Sequence, residues 1–394
     1  MATRRQWHLS AISALAGAAL LAACGGGDSG PTTTRVVVFG DSLSDMGAYT
    51  PATQIPLGQA AGVPPFFGGK FTTNSHTGYS ATSNSSTANT WGEWVAARLG
   101  VAVTPHEVGF GPQSVKCPAA ANPALAGSCT GYAQGGSRVT SPAGIGNPNG
   151  TGLNGASPTP MTRPMVTQVA NHLTRFTSFD SGDIVFVYGG NNDTFIQFGA
   201  VGGGLPLVTA VANMQQVATE LVALVKTQIV AKGATRVAVM NLPDATGTPG
   251  FRTLPDANKA VLRQLSAEFN TTLSAGLAGV PEVQMIDARG LAATVAASPA
   301  TFGLTNALDA ACDPAKIAAF TANRVTDGSS LFCNAAPAAL FVAPVPNLNG
   351  LKAGASASTW LFADSVHPTT AGHKIFADQV IAKLKDFGWI PANQ

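Results

Sequence analysis

Four short stretches of this chain are apolar almost without interruption: Arg35 to Phe39, closed by Gly40; Asp183 to Tyr188; Thr235 to Asn241; and Val283 to Ile286. A strand with one wet face alternates apolar and polar residues, so solid β-branched runs such as Val36-Val37-Val38 belong to strands buried on both faces. Between them lie stretches with helical spacing, Trp91 to Leu99, Pro164 to Phe176, Val208 to Lys232 and Pro255 to Leu277. Strand alternating with helix predicts an α/β fold in which a parallel sheet is covered by helices. Functional loops then gather at the carboxyl ends of the strands.

Two stretches break the pattern. Thr50 to Thr90 and Gly109 to Pro160 are rich in Gly, Pro, Ser, Thr and Asn and have few apolar periodicities. Loops of this length in a compact domain are usually functional, so they are candidate walls of a substrate cleft. No internal repeat and no linker divides the chain, and one domain over residues 35–394 with elaborate loops is the simplest expectation.

Residues 1–23 have the layout of a signal peptide, with Arg4 and Arg5 as a basic front and an apolar stretch from Leu9 to Ala23 too short for a comfortable membrane span. Leu21-Ala22-Ala23-Cys24 resembles the lipobox of bacterial lipoproteins, in which Cys24 is lipidated and becomes the mature N-terminus; an ordinary secretory signal with a chance cysteine is the alternative. Residues 24–34 then form a Gly-rich tether. By the same resemblance, glycine rather than aspartate after the lipid cysteine points to the outer membrane of a Gram-negative bacterium, with a periplasmic or secreted protein as the other outcome. Thr3-Arg4-Arg5-Gln6-Trp7 also resembles a twin-arginine signal, leaving the export route open.

Charged residues make up 11% of the chain, against roughly a quarter in an ordinary soluble protein, which suits an exported protein with a neutral polar surface. Without Arg4 and Arg5, the 22 basic residues become 20 and match the 20 acidic ones. No basic stripe suggests nucleic acid, and no apolar run beyond the signal is expected to span a bilayer. With Cys24 assigned to lipid, four cysteines remain in two local pairs, Cys117 with Cys129 and Cys312 with Cys333. Disulfides by proximity are one choice among three pairings, and a metal site is the alternative, although no CxxC or HExxH spacing supports it.

The chemistry-bearing residues sit in four segments. Gly40-Asp41-Ser42-Leu43-Ser44-Asp45 presents a serine directly after a buried strand, where a hydroxyl needs a nearby base to become a nucleophile. Read singly, Ser42 is more readily a helix-capping serine. Trp360-Leu361-Phe362-Ala363-Asp364-Ser365-Val366-His367-Pro368 places a carboxylate and an imidazole three residues apart, between a strand-like run and a helix beginning near Thr369. One turn can then deliver both, the carboxylate fixing the tautomer of the ring; alone, the pair is also a capped turn beside a solvated histidine. Tyr188-Gly189-Gly190-Asn191-Asn192-Asp193 and Tyr132-Ala133-Gln134-Gly135-Gly136-Ser137 offer amide and backbone N–H donors for a developing oxyanion, although each is an ordinary Gly/Asn turn by itself.

In this order the four segments resemble the GDSL lipases and esterases, or SGNH hydrolases, from Arg35 to about Leu384, with Val237 to Asp244 also similar. The resemblance implies a flavodoxin-like three-layer α/β/α sandwich with a central, mainly five-stranded parallel sheet and long loop insertions, and no metal or cofactor. It makes Ser42 the nucleophile, His367 the base and Asp364 its partner, with Gly136 and Asn192 joining the Ser42 N–H in the oxyanion hole and Gly135 as the fallback for Gly136. The elbow G-x-S-x-G is missing, which disfavours the other esterase fold.

A serine esterase or lipase acting on ester or lipid substrates through an acyl-serine is therefore expected. An acyltransferase and a carbohydrate O-deacetylase share that intermediate, and a surface lipoprotein that only binds acyl or glycan ligands is the alternative without catalysis. His373 is expected to pack on the last helix, and His76, His106 and His172 to be structural or solvated. Asp41, Asp45 and Asp193 are read as positioning groups. Phe66, Phe67, Phe71, Tyr79 and Trp91 either line an acyl pocket or pack on the sheet.

Overall fold

A computed structural model describes residues 32–50, 69–75, 88–109, 115–147, 162–321, 323, 325–336 and 349–394. The signal, Cys24, most of the tether, Phe66, Phe67, His76 and Tyr79 lie outside these residues.

The four solid apolar runs become strands β1 (Arg35–Gly40), β2 (Asp183–Tyr188), β3 (Val237–Met240) and β4 (Val283–Ile286), paired in parallel in the order β1-β2-β3-β4. The expected fifth place, beside β1, is filled by Thr130–Tyr132. The Val38 N–H bonds the Thr130 carbonyl at 2.9 Å, the Tyr132 N–H bonds the Val38 carbonyl at 2.8 Å, and Val38 and Gly131 form an isolated parallel bridge. Counting this extended piece as second in the chain, the spatial order is 2-1-3-4-5, the flavodoxin-like order whose switch point lies at the first strand.

Successive strand side chains enter opposite layers, as the pleat requires. On one face Val37, Phe39, Val185, Val187, Val237 and Val239 pack under α2 (Met165–Phe176), α4 (Leu207–Leu224) and α5 (Asp256–Leu277). On the other, Val36, Val38, Ile184, Phe186, Ala238 and Met240 meet α1 (Trp91–Arg98) and α8 (Thr370–Asp386). Burial on both faces is why these strands read as unbroken runs. Between α2 and α4, α3 (Asn191–Gly202) follows β2 directly.

The helical stretch ending at Lys232 is less regular than its spacing implies, because α4 runs into a π turn at Val225–Ile229 and a 3₁₀ turn at Val230–Lys232. Against expectation, Leu207–Lys232 is long and apolar enough to cross a bilayer by length and composition. Ala210, Met214, Ala218, Leu221, Val225 and Ile229 form one fully buried face, packed in the layer that holds α5 and the sheet's Val and Phe side chains.

After β4 the chain forms α6 (Ala288–Ala297), β5 (Asn306–Ala310) and α7 (Pro314–Phe320). The run before Asp364 becomes β6 (Trp360–Phe362), a strand that pairs in parallel with β5 in a separate small sheet. Cys312 and Cys333 join there as a disulfide, and Cys117 joins Cys129 just ahead of the piece beside β1. Both expected pairs form, and among the described residues no cluster suits a metal.

Candidate active site

Ser42 stands two residues beyond β1, at the carboxyl end of the sheet. The strand end is tied down by Gln168 of α2, whose side-chain amide pairs with both backbone groups of Gly40, accepting at 2.9 Å and donating at 2.8 Å. Beyond it the chain makes a hydrogen-bonded turn, Ser44 N–H to the Asp41 carbonyl at 3.0 Å, rather than starting a helix. Ser42 is thus not a helix cap. Its Oγ lies 2.8 Å from His367 Nε2.

His367 and Asp364 come from the turn that follows β6. The turn is closed by Ala363 N–H on the His367 carbonyl at 2.8 Å and Thr369 N–H on the Leu361 carbonyl at 2.9 Å. Asp364 Oδ1 accepts the N–H groups of Val366 at 3.0 Å and His367 at 2.8 Å, while His367 Nδ1 lies 2.8 Å from Asp364 Oδ2. One turn therefore supplies both groups. Asp364 Oδ2 also accepts the Ser330 N–H at 2.8 Å, a backbone donor that residue identity could not announce. Burial alone would raise the Asp364 pKa, but the His367 ring and the hydrogen bonds from His367, Ser330 and Val366 outweigh it and hold the carboxyl below its ordinary range. An ionised Asp364 then binds Nδ1–H, leaving Nε2 to face the serine as an acceptor.

The glycine segment follows the extended piece beside β1, and Asn192 follows β2, so both flank Ser42 at adjacent strand ends. In residues 134–137 most backbone donors are engaged: Gln134 N–H with the Gly40 carbonyl, Gly135 N–H with Asp45 Oδ2 at 2.9 Å, and Ser137 N–H with the Gln134 carbonyl. Among the described residues the Gly136 N–H and the Ser42 N–H have no acceptor. Asn192 is buried, and its side-chain amide donates to the Ser137 carbonyl at 2.8 Å, which leaves its second hydrogen. Ser42, Gly136 and Asn192 all line one cleft. Gly136, at φ +77°, has no room for a side chain, because a Cβ would run into the Ile145 carbonyl. Gly136 thus keeps a free N–H, whereas the Gly135 N–H is already spent on Asp45.

The other acids of these segments are held in local hydrogen bonds. Asp41 receives Asn191 Nδ2 at 3.1 Å, Asp193 pairs with Arg138 at 2.7 Å, and Asp45 accepts the N–H groups of Gly47 and Ala48, each at 2.8 Å. Burial pushes Asp41 and Asp45 up to about 6. His373 lies on the buried face of the last helix, α8, as expected, its Nδ1 accepting the Trp91 N–H of α1 and its Nε2 meeting the Phe71 carbonyl, each at 3.3 Å. His172 is buried among Phe39, Tyr132, Phe176 and Phe179, and His106 stacks on Tyr132. Of the aromatics, Trp91 packs on Phe186 and Phe376, whereas Phe71 tilts against the His367 ring with centroids 4.8 Å apart.

The cleft has a volume of about 1760 Å³, beyond the roughly 300–1,000 Å³ of ordinary small-molecule pockets. Leu43, Tyr188, Phe195, Leu291, Phe332, Leu361 and Val366 line it.

A parallel α/β scaffold carrying serine, imidazole and carboxylate in hydrogen-bonded series has the construction of a hydrolase. Residues 36–380 match the model of the GDSL-like Lipase/Acylhydrolase family, and the chain belongs to that family. Its chemistry is accordingly of the esterase, lipase and acylhydrolase class. No curated protein matches the chain.

Proposed function

We propose that the protein hydrolyses carboxylic esters through an acyl-Ser42 intermediate. The observation that carries this is the series Ser42 Oγ, His367 Nε2, His367 Nδ1, Asp364, with hydrogen bonds of 2.8 Å at both joints, beside three unspent donors. His367 takes the Ser42 proton as Oγ attacks the ester carbonyl, and Asp364 stabilises the imidazolium that forms. The oxyanion is received by the N–H groups of Ser42 and Gly136 and by the Asn192 amide. Collapse expels the alcohol, protonated by His367, and a water activated by the same ring then releases the acid. No cofactor takes part.

The apolar lining favours substrates with aliphatic or aromatic groups over a glycan ester. Replacing Ser42 with Ala, with p-nitrophenyl esters as substrates, is expected to lower turnover by roughly 10⁴-fold or more. A folded Ser42→Ala protein with undiminished turnover contradicts the proposal.

We further propose that the protein is exported and anchored in the outer membrane by lipid on Cys24. The motif at Leu21-Ala22-Ala23-Cys24 and the Gly-rich stretch after it support this, and the two disulfides fit an extracellular or periplasmic setting. Cys24→Ala is expected to move the protein from the membrane fraction to the soluble one. Unchanged membrane retention overturns the assignment.

A further inference from the structure

Gly135 is gripped at both of its backbone groups. Its N–H donates to Asp45 Oδ2 at 2.9 Å, and its carbonyl accepts the Tyr49 hydroxyl at 2.5 Å. The Gly135 carbonyl and the Gly136 N–H belong to one planar peptide unit and, in the trans form, point to opposite edges of it. A hydroxyl that holds the carbonyl on one edge therefore aims the N–H on the other, and that N–H is one of the three unspent donors beside Ser42. We propose that Tyr49 is a positioning residue for ester hydrolysis, orienting the peptide that presents the Gly136 N–H to the developing oxyanion.

The surroundings suit that task. Tyr49 and Asp45 are both buried, and Asp45 Oδ1 binds the N–H groups of Gly47 and Ala48, which fixes the turn leading from Asp45 to Tyr49. The turn after the serine and the glycine loop are thus locked into one unit. Phe71 closes the far side: its ring meets Tyr49 edge-on at 5.4 Å, and a Cβ on Gly135 would run into it. Burial and the Asp45 charge push the Tyr49 phenol well above its ordinary pKa, so it keeps the proton it donates. Preorganised donors contribute because they need no reorientation when charge appears, and an N–H free to swing loses that advantage.

The proposal rests on the Ser42 reading and is tested beside it. Tyr49→Phe keeps the ring and removes only the hydroxyl. The expected result is a fall in kcat of about 10- to 100-fold with KM within about twofold, and an equal weakening of binding by a trifluoromethyl ketone, whose adduct with Ser42 carries the oxyanion. A kcat within twofold of the parent protein, or a lower kcat with unchanged ketone affinity, overturns it. Should Tyr49→Phe fail to fold, Asp45→Asn, which cannot accept from Gly135 and from Gly47 and Ala48 together, is expected to give the same signature; unchanged kcat there overturns the proposal. Ser42→Ala separates the two claims: if it abolishes turnover while Tyr49→Phe does not, the nucleophile stands and the Tyr49 role falls.

Discussion

Ser42 and His367 are 325 positions apart in the chain and 2.8 Å apart in space, and neither has chemical meaning without the other. The same environment dependence governs His172, which is inert in the proposed reaction. Burial among aromatic rings, followed by the Arg35 charge, lowers its pKa from 6.5 to about 3. The unfolded chain therefore takes up this proton below pH 6.5 while the folded protein refuses it until about pH 3, so stability present above pH 6.5 is lost as the pH falls through that window. The loss is about 1.4 kcal/mol per pH unit at most. His172→Phe is expected to lose less stability than the parent between pH 7 and pH 4 in denaturant titrations; an equal loss contradicts the assignment. At this scale Ser42, Asp364, His367 and Asn192 were legible because each sits in a segment with a recognisable order of residues. Ser330 was not, since it contributes a backbone N–H, and Tyr49 was not, since it acts on a carbonyl that only the folded loop brings near.

Legibility among the elements follows burial. Strands β1 to β3 announced themselves because both of their faces are covered, the edge strand β4 less so because Gln284 and Met285 are only partly buried, and α2 and α5 because one face is. The piece beside β1, Thr130-Gly131-Tyr132, carries no such run, since Gly131 is pinned by the Val38 bridge and by hydrogen bonds to the Thr104 to His106 segment rather than by apolar burial. Strand β5, Asn-Ala-Leu-Asp-Ala, is only partly covered and has an exposed Leu308, so neither alternation nor a solid run betrays it. Helix α6 is alanine-rich and interrupted by Gly290, which hides its periodicity. The small sheet matters because its disulfide holds Cys333 beside the Ser330–Phe332 turn that donates to Asp364. Replacing Cys312 and Cys333 with Ala is expected to destabilise the protein by about 2–4 kcal/mol and to lower kcat roughly tenfold through the weakened hydrogen bond to a charged carboxylate. Destabilisation with unchanged kcat separates the staple from the site.

Over the whole molecule, the strand order explains why so few residues suffice. The order 2-1-3-4-5 reverses direction at β1, and the chain ends leaving β1, its extended neighbour and β2 deliver Ser42, Gly136 and Asn192 to one crevice. The last part of the chain then brings Asp364 and His367 to the same crevice. With 22 basic against 20 acidic residues the chain has little net charge for long-range steering, and the crevice is lined largely by apolar side chains. Everything proposed for this crevice depends on its making Ser42 a nucleophile. Fluorophosphonate labelling followed by peptide mapping tests it most directly: a single adduct on Ser42, strongly slowed in His367→Ala, is the predicted result. An enzyme that still turns over esters while Ser42 stays unlabelled, or labels elsewhere, would contradict it.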